Sequence, residues 1–196
     1  MEMETGRMTD IGHNRPLALK TGQIDQAPPV VSIVGNSGSV KTTFIEKLIP
    51  ELTRAGLKVG TVKHDVHGFE MDKPGKDSWR HKKAGAATSM IASPKQIGIV
   101  MDVDYDHSPD ELVVLFSGMD IVLAEGYKRG NKPKLEIFRP EVEAKPLCLE
   151  DPHLIAMITD TEVGTTTPTF ATSDARGVAT FLIDHFKLEK SAGRRQ

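Results

Sequence analysis

The chain has 196 residues, 25 Lys and Arg against 27 Asp and Glu, a formal net charge of -2, and one cysteine. That length suits one α/β domain with a sizeable core, and the charge balance excludes a global bias towards nucleic acid or an anionic membrane, so any bound anion needs a local site. The lone Cys148 excludes an internal disulfide and a cysteine-built zinc site; with no apolar run long enough to span a bilayer and no secretory signal pattern, the expected compartment is the cytoplasm.

Residues 1–27 are polar and aperiodic, and read as a disordered tail. Residues 28–187 read as one domain and 188–196 as a flexible tail. Within the domain, short β-branched runs alternate with helical patterns, as in parallel strands joined by crossover helices. The run 30–34 is continuously apolar, as expected of a strand buried on both faces. A Gly-rich turn follows, and from Lys41 a helical stripe of Phe44, Ile45, Leu48, Ile49 and Leu52 runs to a stop at Gly56, with an expected kink at Pro50. Next come a strand at 57–62, a long polar loop to Lys76, a short helix at 77–85, and strands at 86–92 and 96–101 separated by Ser93 and Pro94. Ser108, Pro109 and Glu111 form a helix-start signature for 108–116. A buried strand is expected at 121–124, an edge or hairpin strand at 135–138 and a core strand at 154–158. Ser173 or Asp174 caps the last helix.

The segment Gly35-Asn36-Ser37-Gly38-Ser39-Val40-Lys41-Thr42 lies where a strand turns into a helix. Its order matches a phosphate-binding loop, whose inward-pointing amides and following helix N-terminus attract polyphosphate. Lys41 is expected to reach the β- and γ-phosphates and Thr42 to bind Mg²⁺. Val40 departs from the motif, which has glycine before the lysine. A β-branched residue tolerates unusual φ values poorly, so the loop should keep its fold but bind nucleotide more weakly than a Val40→Gly variant.

Three further groups cluster in the sequence. At the end of the second strand, Asp65 can hold Mg²⁺ through water or orient an attacking water, while His64 and His67 read as structural or phosphate-contacting histidines rather than a metal pair. The strand ending in Glu125 and Gly126 delivers a carboxylate, so Thr42, Asp65 and Glu125 offer three oxygen ligands from neighbouring positions. From Asp72 to Arg80, a charged, glycine-containing stretch with Lys73 and Lys76 reads on composition as a solvated loop, or as a loop that closes over a phosphorylated ligand.

Lys63-His64-Asp65-Val66-His67, Met71-Asp72-Lys73-Pro74-Gly75-Lys76-Asp77-Ser78, Lys83-Ala84-Gly85-Ala86-Ala87 and Leu123-Ala124-Glu125-Gly126-Tyr127-Lys128, together with the phosphate loop, closely resemble the signature of the MobB family. The resemblance implies a three-layer, Rossmann-like P-loop NTPase fold, with a mostly parallel sheet and an added β-hairpin region. It implies GTP bound with Mg²⁺, weak GTPase activity at most, a homodimer, and a MobA-like guanylyltransferase and molybdopterin as partners. By matching position, Gly35, Ser37, Gly38, Ser39, Lys41, Thr42 and Thr43 contact phosphate, with Asp65 and Glu125 near the metal. The usual asparagine-lysine-x-aspartate string for guanine is absent, and Asp160 is the carboxylate at a plausible place for the base. Two alternatives stand beside this reading: an ATP-dependent ligase or small-molecule kinase resembling dethiobiotin synthetase, and a degenerate P-loop scaffold.

Overall fold

A computed structural model describes residues 27–189; the expectations for residues 1–26 and 190–196 lie outside these. Six strands form one sheet in the order β2-β5-β1-β6-β7-β8: β1 (Val30–Val34), β2 (Val59–Lys63), β5 (Ile121–Glu125), β6 (Lys134–Ile137), β7 (Leu154–Ile158) and β8 (Thr169–Phe170). Every pairing in it is parallel. All six carboxyl ends therefore open on one edge, where ligands gather in open α/β sheets.

Helices α1 (Lys41–Arg54) and α4 (Ala175–Phe186) pack together on one face. The α1 stripe of Phe44, Ile45, Leu48 and Leu52 is buried against β-strand residues and α4. Each such side chain contributes roughly 1.5–3 kcal/mol. Pro50 does not break α1, because it lies on the exposed side, where the carbonyl it leaves unpaired can meet water. On α4, the Asp174 carboxylate caps the helix by accepting from Gly177 N–H at 2.8 Å.

The opposite face is thinner. Val30, Val122 and Ala124 meet Val113 and Phe116 there. The expected helix at 108–116 is split into α3 (Pro109–Leu112) and a 3-10 turn (Val113–Phe116). Its start follows the sequence: Ser108 and Glu111 form a reciprocal capping box. β3 (Thr88–Ala92) and β4 (Ile97–Met101) form a separate antiparallel hairpin, and α2 (Asp77–Lys83) packs on β3.

Strand β6 corrects the sequence expectation. The strand expected at 135–138 as an edge or hairpin strand is β6, which pairs with both β1 and β7, and all four of its residues are buried. The charges survive burial because each has partners. Lys134 pairs with Asp151 at 2.8 Å and donates to Gly130 O at 2.5 Å. Glu136 accepts from Leu147 N–H at 2.5 Å and Cys148 N–H at 2.8 Å. Burial pushes the Glu136 carboxyl above its usual range, and burial, with Glu136 and Asp151 nearby, pushes the Cys148 thiol up to about 11. Glu136→Ala strands two backbone donors. It is expected to destabilise the fold by about 3 kcal/mol, measured by chemical denaturation, and an unchanged midpoint would show that the network is dispensable.

Candidate functional site

Strand β1 is the centre of the site edge, flanked by β5 and β6. Its end opens into the 35–40 turn at Gly35, whose φ is 146°. A Cβ there would lie 2.5 Å from Ile137 O and 2.6 Å from Ser39 Oγ, so only glycine fits. Ser39 is buried, and its N–H donates to Asn36 O at 3.1 Å, closing the turn. The first α1 hydrogen bond runs from Phe44 N–H to Val40 O at 2.9 Å. The amides of Lys41, Thr42 and Thr43 thus have no helical acceptor, which leaves the donors an anion needs at a helix N-terminus.

Val40 occupies the N-cap of α1 at φ 58° and ψ 30°, a left-handed conformation. This is the strain anticipated from its replacement of glycine. Holding a β-branched residue there costs on the order of 1–2 kcal/mol. Val40→Gly is expected to raise stability by about 1 kcal/mol after glycine's own entropy cost, read as a higher denaturation midpoint. A lower midpoint would contradict the strain account.

Lys41 folds back over the turn. Its Nζ donates to Gly35 O at 3.0 Å and Asn36 O at 2.8 Å and lies 3.4 Å from Ser39 Oγ. Burial lowers its pKa, opposed by Glu125. Thr42 donates to both carboxylate oxygens of Glu125, at 3.0 and 3.2 Å. Lys63, Glu125 and Ile33 lie side by side in register, so the carboxylate stands at the mouth of the turn. The Thr42 hydroxyl and Glu125 carboxylate are hard oxygen donors, of the kind Mg²⁺ takes together with phosphate oxygens and water.

The other proposed residues are placed less uniformly. Asp65 follows the β2 edge, and its Oδ1 accepts from His67 N–H at 2.9 Å, turned towards its own loop. His64 contacts Asp106 through Nε2, at 2.8 and 3.0 Å, and stacks on Tyr127 with ring centroids 4.5 Å apart. That gives His64 an anchoring role between the site edge and the segment after the hairpin. Lys76 precedes α2 with its side chain exposed, and among the described residues no hydrogen bond or ion pair joins it to the turn. Ser37, Gly38 and Thr43 are exposed at the turn and the helix start. Among the described residues, no group of three or more His, Cys, Asp or Glu could hold a metal by itself.

Asp160 lies one residue beyond Thr159, at the end of β7. Its carboxylate accepts from Thr172 N–H at 2.9 Å and closely from the Thr172 hydroxyl. These bonds hold its pKa below the usual carboxylate range, with Arg139 adding to them. Asp160 and Thr172 line a cavity with Val40, Phe138, Arg139 and Thr161. Sequence reasoning missed Thr172, because the two-residue strand β8 that delivers it is too short to leave a periodic signal. It also missed Glu143, whose Oε2 accepts from Asn36 Nδ2 at 2.5 Å from 107 positions away.

A parallel sheet whose central strand feeds a glycine turn, a half-buried lysine and a threonine opening a helix defines a P-loop NTPase fold. The chain belongs to the MobB family: residues 30–160 match the family model described as Molybdopterin guanine dinucleotide synthesis protein B. It is 40% identical over 134 residues to a molybdopterin-guanine dinucleotide biosynthesis adapter protein of Haemophilus influenzae, covering 67% of this chain and 75% of that one. To the protein of that name from Escherichia coli it is 33% identical over 162 residues, covering 80% and 92%. The crystal structure of Bacillus subtilis MobB superposes with a TM-score of 0.65 at 27% identity, covering 82% and 98%.

Proposed function

We propose that this chain is a GTP-binding adaptor in the biosynthesis of molybdopterin-guanine dinucleotide, working in the cytoplasm with a MobA-like guanylyltransferase that acts on molybdopterin. The observation that carries the nucleotide part is the convergence of Lys41, Thr42 and Glu125 on the mouth of the 35–40 turn. The adaptor part rests on family membership and on the names of its relatives.

In this reading the turn amides and Lys41 bind the β- and γ-phosphates, and Thr42 and Glu125 hold Mg²⁺, with Asp65 beside them. Mg²⁺ supplies charge neutralisation at the transferring phosphoryl group. Lys41 stabilises the same charge, and Asp65 orients water once its carboxylate leaves His67 N–H. No arginine is bonded to the turn among the described residues; Arg80, in the charged stretch, is exposed and lies 3.9 Å from Asp77. Slow hydrolysis follows, because a transition state without an arginine loses a large part of its stabilisation. The base sits in the cavity beside Val40, where Asp160 accepts the paired N–H donors of guanine. The Val40 Cβ intrudes where the backbone of the turn approaches phosphate, so Val40→Gly is expected to bind GTP several-fold more tightly in calorimetry; equal or weaker binding would refute this.

A homodimer completes the proposal. The β3–β4 hairpin exposes Met90, Ile97 and Ile99 at 58, 69 and 42%, and Met90 pairs across the strands with Ile99. A two-stranded hairpin backed only by the short α2 is marginal in water, and a second copy would cover this face. The adaptor reading is tested by reconstituted guanylyl transfer to molybdopterin with and without the chain. A gain in product when the chain is added is expected, and an unchanged yield counts against it.

A further inference from the structure

The connection from β6 to β7 carries a second message about the turn. After Phe138, the chain makes a tight bend in which Val142 and Glu143 N–H both donate to Arg139 O, at 3.0 and 3.1 Å. It then runs beside the phosphate-binding turn. The Val142 side chain lies 4.0 Å from where a Cβ on Gly38 would be, and the Glu143 carboxylate accepts from Asn36 at 2.5 Å. Further along, Glu136 fixes the connection from below by accepting from Leu147 and Cys148 N–H. One end of the connection is thus held by a buried, doubly bonded carboxylate. The other is held by a single bond between exposed groups.

These two attachments differ in how they respond to an anion. Glu136 is buried in the sheet and has both carboxylate oxygens committed to backbone N–H groups of the connection. Glu143 places a negative charge on the second residue of the turn, beside the seat of a polyphosphate. Phosphate oxygens and the Glu143 carboxylate repel each other, and both draw on the donors of this short turn. Resting on the nucleotide-binding reading above, we propose that Glu143 makes the 139–147 connection a latch on the phosphate-binding turn, closed in the empty protein and opened by polyphosphate. Opening changes the surface around Val142 and Leu147, which are exposed in the closed state.

The test uses the full chain with GTP and Mg²⁺ as the probe. Glu143→Ala is compared with wild type and with Glu150→Ala, an equal change of charge at an exposed position outside the latch. The latch predicts that Glu143→Ala binds GTP about fivefold more tightly, the size of effect expected for a charge contact near the surface, while Glu150→Ala matches wild type. Amide hydrogen exchange across 139–147 should speed up when wild type binds GTP, and should be fast with or without GTP in Glu143→Ala. If both variants bind GTP like wild type, or exchange across 139–147 ignores GTP in wild type, the latch is overturned and the nucleotide reading stands. If none of the three chains binds GTP, the nucleotide reading falls and takes the latch with it.

Discussion

Lys41→Ala is expected to weaken GTP binding by at least about 100-fold, close to 3 kcal/mol, without unfolding the protein. The ammonium has given up part of its hydration and now holds two carbonyls of the turn, Gly35 O and Asn36 O. In the proposed nucleotide complex these contacts exchange for charge-assisted bonds to phosphate, which alanine cannot make. α1 and its buried stripe do not depend on the lysine tip, so the denaturation midpoint should stay near that of wild type. Calorimetric titration of the variant checks this, and an affinity within about threefold of wild type would place the phosphates elsewhere.

Asp160→Asn should change which base is accepted. Guanine presents two N–H donors to a carboxylate, whereas xanthine carries an acceptor in place of one of them, so an amide suits xanthine and a carboxylate suits guanine. Thr172 fixes the orientation of the Asp160 head group through its N–H and its hydroxyl, and the asparagine oxygen can still accept one of these bonds. The variant is expected to lose about 100-fold in GTP affinity and to gain affinity for xanthosine triphosphate. Competition binding with the two nucleotides reads this out. Unchanged preference for GTP would remove Asp160 from the base site.

Much of the sheet and of the 35–40 turn was legible in the sequence because the signals are local. Continuous apolar runs gave β1 and β5, and the order of strand, glycine turn, Lys41-Thr42 and amphipathic helix gave the site its centre. The φ of 58° at Val40 was anticipated from a single missing glycine. The central place of β6 was not legible, because Lys134 and Glu136 alternate with apolar residues like the polar face of a half-exposed strand; the residues that neutralise them, Asp151 and the 147–148 amides, are remote in sequence and carry no pattern of their own. The same reason hid Glu143, Thr172 and Asp106, each of which meets its site partner only through the fold. The roles of His64 and Lys76 show the converse. Their motif is specific enough to mark the family, yet His64 is engaged by Asp106 and Tyr127, and Lys76 stands apart from the turn.

The most direct measurement is titration of the full chain with GTP and, separately, ATP in Mg²⁺, followed by calorimetry. One GTP per chain, bound more tightly than ATP and lost on chelation of Mg²⁺, is the predicted result. Failure of both nucleotides to bind at millimolar concentration would contradict a polyphosphate seat at the 35–40 turn, and a clear preference for ATP would contradict the guanine reading and favour an ATP-dependent ligase.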